Sequence, residues 1–266
     1  MPKINFESVP DKGDLSPESI DFTKIPSGVD PSSENIQRLS DRAAETAGAF
    51  ARRIEGLQAT FAEARDRYSR DAQELIDSAG PEARSAARTL AKHQEAKRVT
   101  ELRRNLVASS ETSRRELLDR LGQYATDAEF LSTLCASPEM MLGRVALGES
   151  KRTAYMQQLD GAGPIELETA ARTAIATGDI LLAASIATVI DRRPRDRRPF
   201  SVYAFAQRVI GPEHARVKAL LDGIQLAYKT ALAADREFTR GRADPLMNLG
   251  NTLARNAVTE AQGAEQ

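Results

Sequence analysis

Residues 33–81 read SENIQRLSDRAAETAGAFARRIEGLQATFAEARDRYSRDAQELIDSAGP. From Ile36 onward, apolar or small residues recur at steps of three and four: Ile36, Ala43, Ala47, Phe50, Ile54, Leu57, Phe61, Ala64, Tyr68 and Leu75. That spacing keeps one narrow stripe on one side of a helix, as in a coiled coil, with charged residues elsewhere. Asp30-Pro31-Ser32-Ser33-Glu34 supplies the start: a capping side chain, a proline for the first turn, and an acid at the positive helix end. Gly80-Pro81 supplies the end, the glycine for a left-handed C-terminal position and the proline to open the next helix.

The second helix carries Ala83, Ala87 and Leu90 on one stripe. Its phase breaks between Lys92 and Arg98 and resumes at Val99, Leu102 and Leu106, then Leu117, Leu121, Tyr124, Ala128, Leu131 and Cys135. Folding the chain at residues 79–80 with a short connection pairs Leu57 with Leu102, Ile54 with Leu106, and Tyr68 with Leu90 and Ala91. Two stripes read separately thus agree on one antiparallel hairpin over residues 33–125. Ser109-Ser110-Glu111-Thr112-Ser113 is poor helix sequence and predicts a kink or break. Thr126-x-x-Glu129 has the capping pattern of a new helix start.

Composition supports an all-α fold. Of 266 residues, 28% are charged, only 5% are aromatic, and tryptophan is absent. The net charge of −1 favours neither a nucleic-acid nor a membrane partner by itself. One cysteine excludes an intramolecular disulfide. The N-terminal residues do not read as a secretory signal, and the longest apolar run, Ile180 to Ile190, is far short of the ~20 residues that span a bilayer. The expected setting is the cytoplasm, or a particle assembled there.

Residues 1–32 differ from the rest. They hold five prolines, no helical period, and a net charge of −3, which reads as an extended arm. The arm repeats a motif: Ile4-Asn5-Phe6-Glu7-Ser8-Val9-Pro10 returns as Ile20-Asp21-Phe22-Thr23-Lys24-Ile25-Pro26. An extended strand carrying alternating side chains into neighbouring pockets suits this pattern, so Ile4, Phe6, Val9, Ile20, Phe22 and Ile25 are the candidate partner-binding residues.

Beyond residue 125 the pattern predicts a compact helical bundle over 126–258. Helices start at Ser137-Pro138, Ser150 and Gly163-Pro164. A fourth is capped by Asp179, and a fifth runs from Ser201 to Gly211. The helix Ile180 to Ile190 is apolar nearly all round, the mark of a buried central element. Pro212 is read as opening a separate long helix to about Arg240, and Asp244-Pro245 a last one through Leu246, Leu249, Leu253 and Val258. Residues 259–266 form a polar tail.

Catalytic chemistry has little to draw on. Neither His93 nor His214 follows a glutamate at helical di-iron spacing, and zinc-protease, paired-cysteine and phosphate-loop motifs are missing. No metal or cofactor is implied. Cys135 reads as a packed core thiol, and Met140 and Met141 as core fillers. Five arginines in seven residues (Arg192, Arg193, Arg195, Arg197 and Arg198) could contact phosphates, or could neutralise helix ends. Residues 81–115 carry nine basic and four acidic residues, and residues 33–80 seven and nine, a complementarity that favours the antiparallel pairing. The expectation is a non-enzymatic assembly protein, a homo-oligomer or a component of a large complex such as a virion, with the arm and hairpin gripping neighbouring subunits. A nucleic-acid-associated protein and a helical enzyme of unknown chemistry are the competing readings.

Overall fold

A computed structural model describes residues 32–241, and these belong to one compact unit. They form seven α-helices and no strand: α1 (Ser33–Asp77), α2 (Arg84–Leu134), α3 (Pro138–Arg144), α4 (Ser150–Asp160), α5 (Pro164–Thr177), α6 (Ile180–Asp191) and α7 (Val202–Arg240). The chain is all-α. The arm motifs and the segment after Gly241 lie outside the described residues.

The helix starts follow local chemistry. Ser32, Ser137, Asp179 and Ser201 each accept a hydrogen bond from a backbone amide three residues on, which satisfies one of the free donors of the first turn. Gly178, at φ 65°, closes α5 in the left-handed conformation that other residues adopt only with strain.

The three long helices α1, α2 and α7 pack against one another. Between α2 and α7, Arg114 bonds Asp235, Gln225 bonds the Ala125 carbonyl, and His214 bonds the Cys135 carbonyl, so the two run antiparallel. Phe50 and Ile54 of α1, Leu121 of α2, and Ala231 and Phe238 of α7 form a shared core, with Leu57 and Leu106 packed against it. Each long helix buries a stripe here, and most of its stability comes from that burial rather than from propensity.

The second core surrounds α6. Ala183, Ala184, Ile186, Ala187, Val189 and Ile190 are buried among Leu142 of α3, Leu167 and Ala171 of α5, and Phe205 and Ile210 of α7. Thus α7 spans both cores, its first half against the short helices and its second half against the hairpin.

Five sequence expectations are corrected. The pairing of the hairpin is shifted: Tyr68 meets Arg98 and Phe61 meets Arg103, so Tyr68 does not face Leu90 and Ala91. The other four concern single elements. First, α2 runs unbroken through Ser109–Ser113 and through Thr126, the expected domain boundary. The hydroxyls of Ser109 and Ser110 bond the Leu106 carbonyl and that of Ser113 the Ser110 carbonyl, so the run satisfies itself inside the helix. Second, α7 passes through Gly211-Pro212. Pro212 sits on the exposed side, and the flanking turns are held by the two cores, which outweigh the one lost hydrogen bond. Third, the hairpin turn does not use a left-handed Gly80; α1 ends at Asp77 with Ser78 as its C-cap, and α2 begins only at Arg84. Fourth, Leu75 and Leu90 are not inward. Ile76 and Ala91 take those places, and the inner line of α2 continues at steps of four through Ala87, Ala91, Glu95 and Val99, bridging the apparent phase break.

Candidate functional site

The hairpin has two regions. Between Ile54 and Ile76 no α1 residue is fully buried, and between Ala91 and Ser110 no α2 residue is. The reason is the end of α7. Arg103 of α2 donates to the Phe238 carbonyl at 3.0 Å and lies over the Phe61 ring at 5.6 Å, so α7 stops level with Phe61 and Arg103. Gly241, at φ 76°, ends α7 where an added Cβ would fall on the Arg103 guanidinium. Among the described residues, α1 and α2 continue past this level as a pair.

That distal pair is held by thin interactions. The Arg98 guanidinium lies 5.7 Å from the Tyr68 ring centroid and 3.5 Å from the Asp71 carboxylate, with both charged side chains half-exposed. Such an ion pair contributes at most about 1 kcal/mol. Near the turn, Leu75 is 40% and Leu90 53% exposed. Each precedes the inward residue of its helix, Ile76 or Ala91. One residue turns an α-helix by about 100°, and in an antiparallel pair a step toward each N-terminus turns both side chains to the same side. The two leucines therefore share one face at one level.

The arginine loop divides by role. Arg193 donates to the carbonyls of Asp160 and Ala162, the latter at 2.7 Å. Arg198 bonds the carbonyls of Asp191 and Arg193 and pairs with the Asp191 carboxylate at 3.0 Å. These two arginines close the chain between α6 and α7. Arg192, Arg195 and Arg197 are exposed and have no carboxylate partner among the described residues. Arg195 and Arg197 sit on a short 3-10 turn, Arg195–Arg197.

Two buried arginines escaped the sequence reading. Arg114 is enclosed by Asp235, Ser110, Thr239, the Val107 carbonyl and the Phe238 ring. The Ser109–Ser113 run that weakens the helix pattern is part of this polar lining. Arg152 holds the carbonyls of Gly143 and Val145 and the Thr188 hydroxyl, joining α3, α4 and α6. Burial and the nearby Arg192 charge lower its pKa. No sequence pattern sets these apart from the other arginines of the chain.

His93 is exposed, and the His214 Nε2–H donates to the Cys135 carbonyl at 2.9 Å, fixing its tautomer. Cys135 is a buried free thiol whose pKa burial pushes up, as expected of a core residue. Met141 packs on the α6 core, but Met140 is 40% exposed. It lines a cavity of about 410 Å³ between α3, α6 and α7, together with Glu139 and Arg192. A larger open groove of about 700 Å³ runs between α2 and α7, flanked by Glu111, Arg115 and Asp119. Among the described residues no group of His, Cys, Asp and Glu is placed to hold a metal ion, and no helix is long and apolar enough to cross a membrane.

No known protein family matches the chain, and no curated protein or solved structure is significantly similar to it.

Proposed function

We propose that this is an assembly protein, which joins neighbouring subunits of a larger complex through the distal face of its hairpin and the repeated motif of its arm. The observation that carries this reading is the exposure of Leu75 and Leu90 on one face of a helix pair that continues past the end of α7. Large apolar side chains grouped on a projecting element are typical of an interaction surface. A helix pair also delivers that surface at a distance, since α1 from Phe61 to Asp77 extends roughly 25 Å past the end of α7 at ~1.5 Å per residue.

The test is velocity sedimentation of extracts from the source cells. The Leu75→Glu/Leu90→Glu chain should move from a large complex to smaller species. An unchanged profile removes the hairpin from the assembly.

A second reading, phosphate contact, draws on Arg192, Arg195 and Arg197, whose guanidinium groups have no carboxylate partner among the described residues. Replacing all three with glutamine should flatten the salt dependence of nucleic-acid binding by the purified chain. If the intact chain does not bind at low salt, this reading fails.

A further inference from the structure

We infer that the segment following α7 docks in the cavity where α7 ends, with the Asp244 carboxylate accepting from Arg103 and Leu246 seated against Phe61 and Phe238. This contact is independent of the assembly reading and involves a different part of the hairpin.

The cavity measures about 310 Å³. Phe238 of the shared core and Leu106 packed on it both line it, so it is the open end of that core. Phe61 and Arg103 complete the wall, the guanidinium lying over the ring at 5.6 Å. One donor here is left over. Arg103 Nη2 donates to the Phe238 carbonyl at 3.0 Å, but the Nε–H is buried and meets no acceptor among the described residues. A buried donor left unpaired is costly, more so on a charged group. A carboxylate is the acceptor that suits a guanidinium best.

The course of the chain names the occupant. Gly241 ends α7 and itself lines the cavity, so close to Arg103 that an added Cβ would fall on the guanidinium. The first acid beyond it is Asp244, three residues on. Three residues span at most about 10 Å, so a carboxylate is tethered beside the orphan donor whatever path the backbone takes. Pro245 follows and holds Asp244 extended. Leu246, Leu249 and Leu253 then recur at steps of three and four, an apolar stripe that requires a surface to pack on. A short tether gives an effective concentration on the order of mM, which favours this segment over any separate chain.

The test uses dilute, purified full chain in a Cys135→Ala background. Gln58 lines the cavity and is exposed. Gln58→Cys with Leu246→Cys should form a disulfide within one chain, at a rate independent of protein concentration. It should form far faster than the link between Gln58→Cys and Gln266→Cys at the end of the tail. Hydroxyl-radical labelling of Phe61 should rise severalfold in Leu246→Glu and in a chain ending at Gly241, while that of the exposed Leu147 stays constant. Asp244→Asn should raise it as well, and Asp244→Glu should raise it less. Equal oxidation of the 246 and 266 pairs, or Phe61 labelling that is the same with and without the segment, overturns the inference. Links that form only between chains overturn docking within one chain. A rise with Leu246→Glu but none with Asp244→Asn overturns the Arg103 contact.

Discussion

The Arg114 guanidinium on α2 is buried against the Asp235 carboxylate on α7. Among the described residues it is the only ion pair between the long helices in which both side chains are mainly buried; Arg114 is 5% and Asp235 23% exposed. It lies where the three-helix region gives way to the two-helix extension, and it fixes α7 lengthwise on α2. Removing one partner of such a pair strands the other charge. Arg114→Ala should cost roughly 3–5 kcal/mol, and Asp235→Ala less because its side chain meets some water. A double-mutant cycle by urea denaturation should show coupling; purely additive losses would contradict the pairing.

Burial along α2 sets a second expectation. Leu121 is wholly buried between α1 and α7, whereas Leu102, in the two-helix region, is only partly buried. Leu121→Ala should cost about 2–5 kcal/mol, and Leu102→Ala clearly less. Equal losses would mean that α1 and α2 are covered alike along their whole length.

Acid sensitivity has one identifiable source. Asp179 caps α6, and the Leu182 amide, together with the Tyr155 hydroxyl and Lys151, holds its carboxyl below the usual value. Because the folded pKa is depressed, the stabilisation is complete above the unfolded-state value near ~3.9 and is lost as pH falls below it toward the folded value. Asparagine caps as well but carries no charge. The chain should therefore be more stable than Asp179→Asn at neutral pH, and the gap in urea midpoint should close on acidification. A constant gap would rule out the charge as its cause.

The arm motifs lie outside the described residues but make their own prediction. Phe6→Ala and Phe22→Ala should each weaken assembly, and the double variant should nearly abolish it, because two tethered weak contacts act together. If a chain without residues 1–28 assembles normally, the repeat has no part in binding.

Much of the fold was legible because capping and periodicity are local. Ser137, Asp179 and Ser201 mark their helices directly, and α6 declares its burial by being apolar nearly all round. The misread features depend on distant partners. Ser109–Ser113 resembles a break until Arg114 reaches back to Ser110 and across to Asp235. Pro212 resembles a start until it is seen on the solvent side of a helix anchored at both ends. Leu75 and Leu90 fit a three-and-four stripe, yet near the turn the inner line advances in steps of four, and Ile76 and Ala91 take the interior. The distal face is hidden in the sequence for the same reason: its leucines fit the core stripe. In the arginine loop, residue type showed where cations cluster, but only the carbonyls around Arg193 and Arg198 separate structural arginines from exposed ones.

Hydroxyl-radical footprinting tests the central claim most directly, with the native complex compared against the purified chain at high dilution. Leu75 and Leu90 should react when the chain is dilute and be protected in the complex. Leu147 and Ile165, 67% and 80% exposed and away from the hairpin, should react in both. Equal labelling of Leu75 and Leu90 in the two states would contradict an interface on this face.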